Sequence, residues 1–251
     1  MDASYQEALG RSATYEYLSL AFLYPVSGMV ERLRNGGARL AEVGDRLDWP
    51  DVASAAQSVL DKLRPFDDDG LEKEYAEVFG HAVSADCAPY EAEYGQAHVF
   101  QKSQTLADLG TFYRAFGVGL NASMKDRLDH ISVEMEFMHL LTLKEAYAIR
   151  GAHGADKVTL CRDAQQAFLV NHLSNWITEF ASRLARKAGS DSPYGGVEEM
   201  LQTHMKREFA RFSLNAASVR AVPSADQLEE QPAECGDDGA PVLMTQEVMK
   251  R

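Results

Sequence analysis

Two short segments hold the residues whose types and spacing could do chemistry. The first, Cys87-Ala88-Pro89-Tyr90-Glu91-Ala92-Glu93-Tyr94-Gly95, sets carboxylates among aromatic rings beside a proline. The second, Asp129-His130-Ile131-Ser132-Val133-Glu134-Met135-Glu136-Phe137-Met138, sets an acid, an imidazole and another acid at the head of an apolar run. An arginine guanidinium is held best by a carboxylate that takes paired hydrogen bonds and a flat ring it can stack on. Tyr90, Tyr94, Glu91 and Glu93 offer both, while Pro89 fixes its own φ and pushes Ala88 toward extended geometry. The plainer role of this segment is to pin a long loop to the body of the fold. In the second segment Asp129 is a candidate helix N-cap, its charge suited to the positive end of the helix. His130 and Glu134 lie one helical turn apart on one face. Glu134, amid Ile131, Val133, Met135, Phe137 and Met138, needs a buried partner: His130, or an arginine elsewhere in the fold. The plainer roles are capping alone for Asp129 and a satisfied, half-buried imidazole for His130. Neither segment pairs a nucleophile with an activating base.

Other chemistry has less support. Glu136-Phe137-Met138-His139 is half of the carboxylate–histidine pattern of di-iron helical bundles, but a second copy is absent and Glu199 and His204 are five apart. A metal site built on His130, Glu134 and His139 stands as the enzymatic alternative. Phosphate-cradling glycine loops, dinucleotide fingerprints, zinc-protease pairs and nucleophile elbows are missing. The anionic neighbours of Cys87 would raise its pKa, which makes it structural. Met135 and Met138 are either core or an adaptable surface for a helical peptide.

The elements that must position these residues are helices. No run of alternating β-branched residues bounded by turn signals occurs. A capping box, Ser4-Tyr5-Gln6-Glu7, predicts the first helix, stopped by Pro25. A second is expected from Met29 to Leu47 with a weak point at Gly36-Gly37, a third from Pro50 to Arg64, and a fourth around Leu71, Tyr75, Val78 and Phe79, closed by Gly80. Residues 81 to 95 read as a loop, and Leu106 to Phe116 as a helix ended by Gly117. The helix from about Asp129 to Arg150 is apolar nearly all round in its first half, which predicts a buried central position. Stripes from Asp156 to Lys187 and from Val197 to Val219 complete an all-α reading: a single globular multi-helix bundle around a long buried helix.

The 251 residues carry a net charge of −13. That argues against nucleic acid, which needs clustered Lys and Arg, and favours cationic partners. Residues 222 to 251 contribute −5 and are rich in Pro, Gly, Asp and Glu, so the remainder still carries −8. The expected organisation is a helical domain over 1–219 and an acidic, flexible tail over 220–251. No apolar run is long enough to span a membrane, no secretory leader opens the sequence, and the three cysteines form no C-x-x-C pair. The expected location is the cytoplasm, with no membrane insertion.

Three patterns in order resemble the TorD/DmsD/NarJ family of redox-enzyme maturation chaperones. They are Tyr75-x-x-x-Phe79-Gly80 leading to Cys87-Ala88-Pro89-Tyr90-Glu91; Asp129-His130-Ile131-x-x-Glu134-x-x-Phe137-Met138; and Phe168-Leu169-x-x-His172-Leu173-x-x-Trp176-x-x-x-Phe180. With Phe112-Tyr113-Arg114-Ala115-Phe116-Gly117 between them, they look most like the branch serving type II DMSO-reductase-family enzymes. Some family members have Trp where this chain has Tyr90. The resemblance implies a cytosolic, non-catalytic, all-helical chaperone of the TorD/DmsD type that needs no cofactor of its own. Its implied partners are a twin-arginine signal peptide and the apo form of a molybdopterin-containing catalytic subunit, which it holds during cofactor insertion while delaying export. It would act as a monomer or homodimer. The peptide-binding positions implied are Pro89, Tyr90, Glu91, Asp129 and His130, and the chemistry of the residues adds Glu93, Tyr94 and Glu134. A purely structural helical adaptor remains the other alternative.

Overall fold

A computed structural model describes residues 2–80, 86–94, 99–118 and 127–214. The expected tail at 220–251 lies outside them, as do residues 81–85 and 95 of the predicted loop. The chain runs α1 (Ala3–Ala21), α2 (Met29–Arg46), α3 (Pro50–Leu63), α4 (Asp68–Phe79), a short 3₁₀ turn (Glu91–Glu93), α5 (Val99–Ala115), α6 (Ile131–Arg150), α7 (Ala155–Phe168), a π-helical turn (Leu169–Leu173), α8 (Ser174–Ala188) and α9 (Pro193–Arg211). Among the described residues there is no β-strand, only one isolated antiparallel bridge between Tyr90 and His130. No described helix is long and apolar enough to cross a membrane.

Helix α6 is the axis of the molecule. Ile131, Val133, Met135, Phe137, Met138 and Leu141 are all fully buried, so the all-round apolar pattern reports a helix enclosed by others. Met135 and Met138 are therefore core and present no surface to a peptide. Helix α1 runs along α6, α7 packs on its other side, and α2, α3 and α9 continue the bundle outward. Phe137 packs tilted or edge-on among the rings of Tyr113, Phe116 and Phe168 at 4.8 to 6.0 Å, which joins α5, α6 and α7 in one apolar cluster.

Several local expectations are corrected. The α1 cap is Asp2, whose carboxylate accepts from the Ser4 amide at 2.9 Å, and the Ser4–Glu7 box lies inside the helix. Helix α2 runs unbroken through Gly36-Gly37, because these glycines serve close approach: a Cβ on Gly36 would fall 2.8 Å from the Tyr17 ring. Gly80 closes α4 as expected, at φ +78. The stripe read as one helix from Asp156 to Lys187 is interrupted by the π turn, and α9 begins earlier than expected, at Pro193 behind a Ser192 cap.

Candidate functional site

The two signature segments meet through their backbones. The Glu91 amide donates to the Asp129 carbonyl and the Ile131 amide donates to the Pro89 carbonyl, both at 2.9 Å. Pro89 lacks an amide, but its carbonyl and fixed φ suit the outer rung of such a bridge. Tyr113 on α5 donates its hydroxyl to the Leu128 carbonyl at 2.9 Å and so anchors the turn before α6.

Asp129 does not cap α6; His130 does. The His130 Nδ1 accepts from the Ser132 amide at 3.2 Å and lies 2.6 Å from the Ser132 hydroxyl. The reason is register: the bridge holds His130 extended at the last position before the helix and turns the Asp129 side chain toward the neighbouring loop. There Asp129, fully buried, accepts from the Ala92 amide at 3.1 Å. It also accepts from Arg127, with Nε on Oδ1 at 2.9 Å and Nη2 on Oδ2 at 2.7 Å. The third nitrogen of the fork, Nη1, reaches Glu93 Oε1 at 3.0 Å, and the guanidinium carbon lies 4.5 Å from the centre of the Tyr90 ring. Tyr90 in turn meets His130 edge-on at 5.1 Å. Tyr90, Glu93, Asp129 and Arg127 thus form a guanidinium cradle, with the guanidinium supplied by the chain itself.

Arg127 is a residue that the sequence reading missed. Its spacing from Asp129, two residues upstream, was the available signal. Burial works against the Arg127 charge, but Asp129 and Glu93 outweigh it and raise its pKa. Hydrogen bonds from Lys102, at 2.6 Å, and then from Arg127 hold the Glu93 carboxyl below the usual carboxylate range.

Glu91, Glu134 and Tyr94 turn away from the cradle. Glu91 is buried and lies 3.1 Å from His172 Nδ1. His172 sits on the π turn, where an extra residue in the helical ladder rotates the side chain relative to α7; such turns are common at functional positions. The partner of Glu134 is neither His130 nor an arginine but the Trp176 indole, which donates at 3.2 Å. The other Glu134 oxygen is buried without a donor. Burial first, then the negative charges of Glu91 and Asp129, push the Glu134 carboxyl well above its ordinary range. The raised pKa favours the neutral acid, in which the second oxygen can donate toward Glu91. Tyr94 donates to the Ala88 carbonyl at 2.8 Å, and its ring lies against Trp176 and beneath Arg183.

The predicted residues are therefore brought together, but with unequal access. Pro89, Glu91, Asp129, His130 and Glu134 are buried, while Tyr90, Glu93 and Tyr94 remain half-buried. Cys87 is buried too, and desolvation pushes its thiol up to about 12. The metal alternative loses its geometry. His130 and His139 are nine residues apart on one helix, about 13 Å along the axis, whereas ligands to one metal sit about 2 Å from it. His139 is engaged with Ser12 on α1 and lines a separate cavity of about 610 Å³ between α1, α2 and α6. Among the described residues no group of three His, Cys, Asp or Glu side chains could hold a metal ion.

An all-helical bundle whose loop and helix-start signatures are locked by one β-bridge defines a class, and the comparisons agree on it. Residues 46–182, from the end of α2 into α8, match the family model described as nitrate reductase delta subunit; the chain belongs to this family, the one that the three motifs resemble. Among curated relatives, it is 34% identical over 103 residues to the chlorate reductase assembly chaperone protein of Ideonella dechloratans, and 32% identical over 103 residues to the selenate reductase assembly chaperone protein of Thauera selenatis. Each of these matches covers 41% of this chain and 52% of the relative, so the chain spans about half the length of these relatives. A more distant relative, the chaperone protein TorD of Vibrio parahaemolyticus, is 20% identical over 146 residues, 57% of this chain and 66% of that protein.

Proposed function

We propose that this chain is a cytoplasmic, non-catalytic maturation chaperone for the catalytic subunit of a molybdenum oxidoreductase. It receives the twin-arginine signal peptide of that subunit at the face made by Tyr90, Glu93 and the Asp129–His130 turn. It holds the apo subunit while the cofactor is inserted and delays export until then. The helical body over 1–219 does the binding, and the acidic tail over 220–251 lies outside it. The names of the relatives support the assembly role. The observation that carries the binding mode is the cradle: two carboxylates and an aromatic face stand in the geometry that receives a guanidinium fork. A charge-assisted hydrogen bond contributes about 1.5–3 kcal/mol, so two of them supply much of the roughly 8 kcal/mol of a micromolar complex.

Calorimetric titration of the purified chain with a twin-arginine signal peptide tests this. Micromolar binding is expected, falling about tenfold in Tyr90→Ala, which removes a half-buried ring face and keeps the backbone bridge to His130. Glu91 and Asp129 are poorer targets, since both are buried and Asp129 also anchors the Ala92 amide. A chain that binds no such peptide, free or attached to its catalytic subunit, ends the proposal.

A further inference from the structure

We infer that Arg127 is a resident stand-in for an arginine of the client: the free chain closes its guanidinium site with its own side chain, and binding requires Arg127 to leave. The inference rests on the functional reading above and adds the way that site is regulated.

Three observations carry it. The contacts of Arg127 are those a bound arginine would make: a two-pronged bond to Asp129, a third bond to Glu93, and the face of Tyr90. The Asp129 carboxylate is fully buried, and among the described residues the Arg127 fork is the cation bonded to it, so a guanidinium in the cradle favours the ionised carboxylate over an empty seat. Arg127 is nonetheless far more open to solvent than the carboxylate it holds. It lies outside any helix and its side chain is 34% exposed, against 0% for Asp129, so the seat opens to solvent on one side. Because the exchange swaps one guanidinium for another, the buried carboxylate never loses its partner, and the site can be both stable when empty and receptive when a client arrives. A tethered occupant is also a competitor. It lowers the apparent affinity for the client arginine by the fraction of time that it holds the seat. That favours ligands with further contacts, such as a second arginine and an apolar stretch, over isolated arginines.

The test uses the full chain, Arg127→Ala, Arg127→Gln and the double variant Arg127→Ala with Asp129→Asn. The probes are ethylguanidinium and a peptide with an arginine pair followed by an apolar stretch, its lysine-pair version serving as control. Millimolar ethylguanidinium is expected to raise the melting temperature of Arg127→Ala or Arg127→Gln, and to leave the parent chain and the double variant unmoved. The arginine-pair peptide is expected to bind the Arg127 variants at least about tenfold more tightly than the parent, and the lysine-pair peptide to gain much less. Folded Arg127 variants that ignore ethylguanidinium and bind the peptide no better than the parent would make Arg127 a fixed strut and overturn the inference. Rescue by ethylguanidinium with no peptide binding to any variant upholds the guanidinium seat, overturns displacement by a client and removes the functional reading with it. Peptide binding without rescue keeps that reading and overturns the stand-in. Should neither variant fold, the Arg127 Nε–H resonance in the parent chain decides: slow hydrogen exchange that becomes fast on peptide binding supports displacement, and unchanged protection refutes it.

Discussion

Arg11 and Arg127 are each held between two carboxylates, and the two places differ in what surrounds them. In the body of the bundle Arg11 of α1 bonds to Glu208 of α9 through Nε and Nη2, each at 2.6 Å, and to Glu145 of α6 at 3.0 Å. Gln165 of α7 and the Tyr15 hydroxyl complete the knot, and the Arg11 side chain is 4% exposed. At the cradle Arg127 makes the same kinds of bonds to Asp129 and Glu93, but its partners sit on loops and one side is open. The first arginine fastens four helices far apart in sequence. The second is held by a residue two positions away and by a 3₁₀ turn. The same chemistry thus locks a fold where it is sealed and makes an exchangeable site where it is not.

The largest expected effect separates the two. In the knot, burial alone would raise the Glu208 pKa, but Arg11, and after it His204 and Tyr15, more than reverse this. Removing Arg11 strands the Glu208 carboxylate in the core, while Glu145 keeps Arg162 and Gln165. Arg11→Ala is expected to cost about 3–5 kcal/mol, the usual penalty for breaking a buried ion pair. Arg127→Ala is expected to cost only about 1–2 kcal/mol, because Asp129 keeps the Ala92 amide and water can reach the vacated seat. Urea denaturation of both variants measures the gap. Equal losses would erase the distinction between lock and site.

The next effect tests the wall behind the cradle, where Glu91, Glu134 and His172 meet. A carboxyl with a raised native pKa keeps a proton that the unfolded chain releases above about pH 4.3. Its contribution is full below that pH and is lost as pH rises through the native value. Glu134→Gln preserves an acceptor for Trp176 and offers Glu91 an amide donor that cannot ionise. The variant is therefore expected to match the parent near pH 4 and to exceed its stability increasingly toward pH 9. Parallel stability–pH curves for the two would mean that Glu134 is ionised in the fold, and that the wall is charged on both sides.

Some of this was legible in the sequence. The all-round apolar run of α6 signalled a central helix because enclosure leaves no polar face. The chemical weight of Pro89–Glu93 and of Asp129–Glu134 was legible because each segment sets acids among apolar or aromatic side chains. The partners were not. Sequence periodicity assigned Asp129 to a cap, whereas the β-bridge, a long-range backbone contact, turns its carboxylate into the loop and leaves His130 to cap. The π turn at Leu169–Leu173 escaped because one inserted residue barely disturbs a hydrophobic stripe, yet it aims His172 at Glu91. Arg127 escaped because charged residues before a helix ordinarily read as solvated surface.

The smallest expected effect lies at the open edge of the cradle. Lys102 bonds to Glu93 Oε2 at 2.6 Å while Arg127 holds Oε1, so Glu93 is shared between a lysine point charge and an arginine fork. The Lys102 side chain is 37% exposed, and solvent screening discounts the pair heavily. Lys102→Ala is expected to change stability by less than about 1 kcal/mol, with the difference shrinking further in high salt. The variant sharpens the contrast because it perturbs Glu93 without touching Asp129. Among the described residues Glu93 then keeps Arg127 alone, which tightens the stand-in in its seat, so the apparent affinity for an arginine-bearing peptide should fall slightly although a competing cation has been removed. Salt-dependent titrations of Lys102→Ala measure the sign. A gain in affinity would mean that Lys102, and not Arg127, is the charge that a client must displace.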